Sequence, residues 1–286
     1  KGDILNLLEE KNLGELVRVF NSANNERPSN MASFLFGLKD NTLPKKAGIN
    51  EKAIDFNYIL QEDENFKIVF IVFYTSIVYH IAQIVKKLDL DVPRHISFSG
   101  NGSKVIRVIT TDTSILSKYT KIIFEKVLGK PSGKELELLG LEKDSNPKDS
   151  TCKGGLIGIE DDNNRDKSIV FKSDCTGIVS NEDTYAAITD EYKVRTVKAV
   201  EDFFKFVFED MNSAFNFDKN FGVKNTSLKI AQQAAQKDLA TFLDKGLSQR
   251  EEETELDDII EETFFFYPIK GVLQSMSNDI LNSLKS

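Results

Sequence analysis

The chain has 286 residues, 40% of them hydrophobic, which suffices for one large domain or two smaller ones with cores of their own and excludes disorder of the whole. Its 45 acidic residues against 37 basic ones leave a formal net charge of −8 with no clustered basic stretch, which argues against a nucleic-acid partner. The two cysteines, Cys152 and Cys175, lack C-x-x-C spacing and are too few for a disulfide framework, so a reducing, cytoplasmic setting is expected.

The chain opens on Lys1-Gly2 without a charged-then-apolar leader and reads as a piece of a longer protein. From Asp3 to Phe20, Ile4, Leu7, Leu8, Leu13, Leu16, Val17 and Phe20 recur at spacings of three and four, the pattern of an amphipathic helix. Pro28-Ser29-Asn30 opens a second helix whose buried face is Met31, Phe34, Leu35 and Leu38, and Leu43 to Gly48 is a loop. Residues 1–60 are therefore expected to form a helical subdomain.

The stretch Phe66–Val85 is the one membrane candidate. Lys67, Thr75, Ser76, His80 and Gln83 interrupt it, however, and a spanning helix needs about 20 mostly apolar residues, so it is read as a buried core helix within residues 63–88. Asp89 to Pro93 leads into a strand at 95–99, a glycine turn follows, and Ser114–Leu128 has helical periodicity ended by Gly129-Lys130-Pro131. Lys134–Leu141 alternates as a strand. Helix, strand, turn, helix and strand are the grammar of an α/β lobe, expected to span 61–160.

Beyond it, residues 161–286 are expected to be mainly helical and packed on that lobe. Glu160 to Asp166 is a polar hinge, and Ser168–Lys172 reads as a strand. Thr184–Met211 is helical with a strongly aromatic face, residues 227–245 form another helix, and Ile269–Leu284 is the last. The acidic run Glu251 to Glu255 is a solvated face or loop, and Phe264-Phe265-Phe266-Tyr267-Pro268 precedes the last helix.

The stretch that carries chemistry is Ile96-Ser97-Phe98-Ser99-Gly100-Asn101-Gly102-Ser103-Lys104-Val105. A strand ending in Gly-x-Gly exposes backbone N–H groups and lets a ligand approach closely, because glycine has no Cβ to obstruct it. A purely structural glycine turn fits the same residues. Downstream lies Asn146-Pro147-Lys148-Asp149-Ser150-Thr151-Cys152-Lys153-Gly154-Gly155-Leu156.

In this order the two segments resemble the C-terminal half of the actin-like ATPase superfamily, which includes actin, the heat-shock chaperone ATPases, sugar kinases and bacterial cell-division actin homologues. The first is similar to that family's adenosine motif. The second is similar to the Asn-Pro-Asp-Glu-Ala-Val-Ala-x-Gly-Ala helix of the chaperone branch at its Asn, Pro, one acid and the Gly-small pair. The resemblance implies a mixed-sheet α/β lobe with a large helical portion. It also implies ATP or ADP with Mg²⁺ as cofactor, bound with Gly100, Asn101 and Gly102 against the adenosine and Ser103 and Lys104 flanking the base.

Lys104 stands where the chaperones stack an Arg on adenine, a geometry the ammonium does not reproduce. The family's two phosphate loops, Asp-x-Gly-(Ser/Thr/Gln) and Asp-x-Gly-Gly-Gly-(Thr/Ser), are absent from the sequence. The implied function is thus the adenosine-side wall of an ATP cleft. No catalytic residue and no metal ligand is assigned, and little or no hydrolysis is expected from this chain alone. The implied partner is the remainder of a parent protein, with a further protein partner through the helical C-terminal region.

The alternative is a non-catalytic interaction module whose aromatic surface, around Phe203, Phe204, Phe206 and Phe264–Tyr267, docks a partner. Such rings more often form plain core. Gly129 to Glu135 departs from a P-loop, with three residues between its glycines and Glu where Ser or Thr must meet Mg²⁺. Asp162 to Asp166 has calcium-loop spacing, but Lys167 and Ser173 stand where the glycine and the bidentate Glu belong. His80 and His95 read as a core and a strand-edge histidine, and Cys152 as a buried thiol despite Lys153 beside it.

Overall fold

In the computed structural model the described residues are 63–99, 101–141, 184–260 and 262–285. The expected subdomain at 1–60, Gly100, the Asn146–Leu156 segment, Cys152, Cys175, the Asp162–Ser173 pattern and the Ser168–Lys172 strand lie outside them.

The central element is α1, Glu64–Lys87. Asp63 caps it by accepting hydrogen bonds from the backbone N–H of Asn65 (2.8 Å) and Phe66 (3.0 Å), and Asp89, at φ 50°, turns the chain away beyond its end. The helix is long and apolar enough to cross a membrane by length and composition. Here Ile68, Ile71, Val72, Tyr74, Val78 and Ala82 are buried among the surrounding helices.

Strand β1, His95–Ser97, follows, then an eight-residue 3-10 helix, Asn101–Val108, α2, Thr113–Leu128, and strand β2, Glu137–Leu139. The strands pair in parallel, with His95 opposite Glu137, Ile96 opposite Leu138 and Ser97 opposite Leu139. Asp112 caps α2 by accepting from the N–H (2.9 Å) and hydroxyl (2.7 Å) of Ser114, and Gly129, at φ 70°, ends it in the left-handed conformation glycine favours. The Gly129–Glu135 stretch is a turn, held by the Ser132 N–H on the Glu125 carboxylate at 2.7 Å.

The second half is helical. After a short 3-10 turn, Tyr185–Ala187, α3 runs from Asp190 to Lys205, passes into a π-helical stretch, Phe206–Met211, and ends as α4, Asn212–Phe215. Next come α5, Phe217–Phe221, α6, Asn225–Ala235, α7, Leu239–Glu251, and α8, Phe266–Lys285.

The expected mixed-sheet lobe is not the architecture. Among the described residues only β1 and β2 pair into a sheet, and helices make up most of the rest. Parallel strands within a larger sheet are buried on both faces and read as continuous apolar runs. In β1, by contrast, His95 and Ser97 are exposed on either side of half-buried Ile96, and the long apolar stretches elsewhere follow the helical period.

Two boundaries also differ from expectation. The single helix expected at 227–245 is two, because Asp238 sits at φ 60°, outside the right-handed helical region. The last helix begins at Phe266 rather than beyond Pro268, since a proline in the first turn withholds only an N–H that has no intrahelical acceptor there.

One continuous apolar cluster joins α1, α2 and the strands to α3–α6 and α8, and a satellite cluster of Tyr185, Tyr192, Leu243, Leu247, Ile260 and Phe264 lies beside it. Phe203, Phe204, Phe264 and Phe265 are almost wholly buried and Phe206 nearly so, so these rings are core and not an exposed docking face. Burying such rings contributes about 2–3 kcal/mol each.

Candidate functional site

The site is built on the unit α1–β1–3-10 turn–α2–β2. Phe98 extends the strand pairing by donating its N–H to the Leu139 carbonyl at 2.9 Å, and the Glu137 N–H reaches the Arg94 carbonyl at 2.8 Å. His95 Nε2 lies 3.5 Å from the Glu137 carboxylate across the exposed amino end of the pair.

At the carboxyl end, Gly140 follows β2 at φ 85° and packs against the Phe98 carbonyl, so that an added Cβ would overlap the carbonyl oxygen. Only glycine combines this dihedral with this approach. The carboxyl ends of both strands are thus locked together at one point. One continues into Gly100-Asn101-Gly102-Ser103-Lys104 and the other, through Leu141, into the Asn146–Gly155 sequence.

Asn101, Gly102, Ser103 and Lys104 form the first half of the 3-10 helix, with Ser103 half-buried. The stretch between β1 and α2, read in the sequence as a glycine turn, is thus largely a 3-10 helix. Ile106, Val108 and Ile109 bury the far half of this helix, and Ile109 closes it with an N–H to the Ile106 carbonyl at 3.0 Å. The apolar end anchors the element, and the Asn101 end is the one nearer β1 in the chain.

Of the other residues singled out in the sequence, His80 packs on the rings of Phe265 (6.0 Å) and Phe266 (5.1 Å). Among the described residues no group of three His, Cys, Asp or Glu is placed to hold a metal ion.

A concave feature elsewhere in the fold had no signature in the sequence. A cavity of about 600 Å³ lies between α7 and α8, rimmed by Lys245, Arg250, Glu253, Glu262 and Tyr267. Its polar wall is a network on Glu262. One carboxylate oxygen accepts from the Tyr185 hydroxyl and pairs with Arg250 Nε, each at 2.7 Å, and the other accepts from the Tyr267 hydroxyl at 2.6 Å. Burial, and then the adjacent carboxylate, pushes the Tyr267 phenol above its ordinary range. The network ties the segment at Tyr185 to the α7–α8 connection, reinforced by the Thr184–Ile259 bridge. Its hydrogen-bonded partners are up to 77 residues apart, which is why no local motif announces them.

The buried interface of α1 with α2 carries a polar lock. The Tyr74 hydroxyl lies 2.5 Å from the Thr120 hydroxyl, and the Thr75 hydroxyl 2.6 Å from that of Tyr119. Each threonine also donates to its own helix, Thr75 to Ile71 (2.6 Å) and Thr120 to Leu116 (2.7 Å), so the tyrosines are the donors across the interface. A sequence signal existed here, a Tyr-Thr pair in each helix.

No protein-family model, curated protein or solved structure matches this chain, and the site must be read from its own geometry.

Proposed function

We propose that the carboxyl edge of the β1–β2 pair forms the adenosine-side wall of an adenine-nucleotide site, with Asn101, Gly102, Ser103 and Lys104 facing the nucleoside. The observation that carries this reading is the junction of Phe98 and Gly140. It holds the carboxyl ends of the two strands together, one of them leading toward the 3-10 helix that begins at Asn101. In parallel β-α-β units ligands bind outside the carboxyl ends of the strands, and a glycine-rich turn there leaves backbone N–H groups open to them. The reading rests on this local unit and not on the overall architecture, which is helical.

The residues fit the nucleoside better than the phosphates. Gly100 and Gly102 carry no side chain. The sequence has neither Asp-x-Gly phosphate loop, and no described carboxylate cluster is placed to hold Mg²⁺. Binding without turnover is the activity expected of this chain. Bound nucleotide would supply the β- and γ-phosphates for chemistry at groups contributed from elsewhere.

Calorimetric titration with ATP, ADP and adenosine tests the reading. Saturable binding of all three, lost in Gly102→Val while circular dichroism stays native, supports it. Absence of saturable binding, or binding that Gly102→Val leaves unchanged, overturns it.

A further inference from the structure

The cavity between α7 and α8 is floored by two ring-on-glycine contacts. A Cβ on Gly246 would run into the Tyr267 ring of α8, and one on Gly271 into the Phe242 ring of α7. These contacts set the helices antiparallel, with the two half-buried rings lying along the seam as an apolar floor. The walls above it are polar. A spacing of four residues puts Lys245 and Gln249 on one ridge of α7, and Lys270, Gln274 and Asn278 on one ridge of α8.

Charge is distributed unevenly along this groove. At one end Glu253 and Glu262 are both paired to Arg250, at 3.0 and 2.7 Å, so the guanidinium is already engaged. Midway stand Lys245 and Lys270, one on each wall, and neither has an ion-pair or hydrogen-bond partner among the described residues. No acid lies three or four residues from either along its helix, in a chain whose net charge is −8. The other end, toward the carboxyl terminus of α8, offers the uncharged Gln274, Ser275 and Asn278.

We propose that this groove binds a phosphorylated sugar. Two unneutralised ammonium groups on facing walls suit a phosphate dianion, toward which lysine acts as a point charge. Carboxamides and hydroxyls both donate and accept, as sugar hydroxyls do, so Gln274, Ser275 and Asn278 match a polyol. The floor of Phe242 and Tyr267 covers the C–H face of the sugar ring. The phosphate sits between the lysines and the sugar extends toward Asn278, away from the carboxylates at the Arg250 end, which would repel an anion. A volume of about 600 Å³ is in the range of small-ligand sites. The groove shares no residue with the Asn101–Lys104 edge and does not rest on the reading given to that edge.

Calorimetric titration of the full chain with glucose 6-phosphate and with ribose 5-phosphate tests this. The expected result is saturable binding of at least one, weakened on the order of tenfold by Lys245→Gln and by Lys270→Gln. Lys229→Gln, at an exposed lysine of α6 outside the groove, and Gly102→Val should leave it unchanged. Inorganic phosphate should bind more weakly than the sugar phosphate, and Asn278→Ala should weaken the sugar phosphate without affecting inorganic phosphate. Four outcomes overturn the proposal. They are no saturable binding of either sugar phosphate, binding that both groove-lysine variants leave unchanged, equal weakening by Lys229→Gln, and inorganic phosphate binding as tightly as the sugar phosphates.

Discussion

Gly140 lies against the Phe98 carbonyl at a φ of 85°, leaving no room for a side chain at the point where the two parallel strands end. Gly140→Ala would both strain the dihedral and push β2 off β1. An expected loss of about 1–3 kcal/mol follows from the positive φ and the overlap together. Chemical denaturation measures it. Gly133→Ala is the control, since a Cβ there meets nothing within 4 Å. If the proposed site is correct, Gly140→Ala also weakens nucleotide binding while Gly133→Ala does not.

A similar steric argument governs the α7–α8 pair. A Cβ on Gly246 would stand 2.5 Å from the Tyr267 ring, and one on Gly271 would run into the Phe242 ring. Glycine to alanine within a helix ordinarily stabilises by up to about 1 kcal/mol. Here both substitutions are expected to destabilise, by about 1–3 kcal/mol from overpacking, and to shift the midpoint of thermal unfolding downward.

The tyrosine–threonine lock predicts an alkaline limit to stability. Burial raises the Tyr74 and Tyr119 phenols above their ordinary value, and only the protonated forms donate across the interface. Their contribution is complete below the unfolded phenol value of about 10 and is lost as pH rises beyond it. Tyr74→Phe with Tyr119→Phe should cost about 1 kcal/mol per hydroxyl at neutral pH. The double variant should also lose stability less steeply above pH 10 than wild type does.

At the other end of α1, Glu64 predicts an acid limit. Burial raises its carboxyl, but this is outweighed by the Ser227 hydroxyl (2.7 Å), the Lys224 N–H (3.2 Å) and the Lys224 ammonium (3.1 Å), leaving it below the ordinary value of 4.5. A depressed carboxylate stabilises the fold above its unfolded value, and that gain disappears as pH falls through the folded one. Glu64→Gln should cost about 1 kcal/mol near pH 7 and much less below pH 3. Equal costs at both pH values would show that the carboxylate charge contributes nothing.

The elements were more legible than the architecture. The helical period of Ile68, Ile71, Val72 and Val78, the Asp112 and Gly129 caps and the alternation of buried Leu136 and Leu138 belong to single segments, and a sequence carries them directly. The expectation of a mixed sheet came from family resemblance and not from the strands themselves, whose exposed His95 and Ser97 already disagreed with a buried parallel sheet. Asp238 broke a helix through its own backbone dihedral, which side-chain periodicity does not register. In the site, the glycine turn was visible as spacing, whereas its 3-10 form and its junction with Gly140 depend on where β2 pairs. The Glu262 network gathers residues from three distant segments and had no signal to read.

The central claim concerns the surface beside Asn101–Lys104, and photo-crosslinking with 8-azido-ATP addresses it most directly. Trypsin cuts after Arg94 and Lys104, releasing the turn as the peptide His95–Lys104. The account predicts label concentrated on that peptide, competed by unlabelled ATP and adenosine, and absent in Gly102→Val. Label confined to the cavity between α7 and α8, or label that nucleotide does not compete, would contradict it.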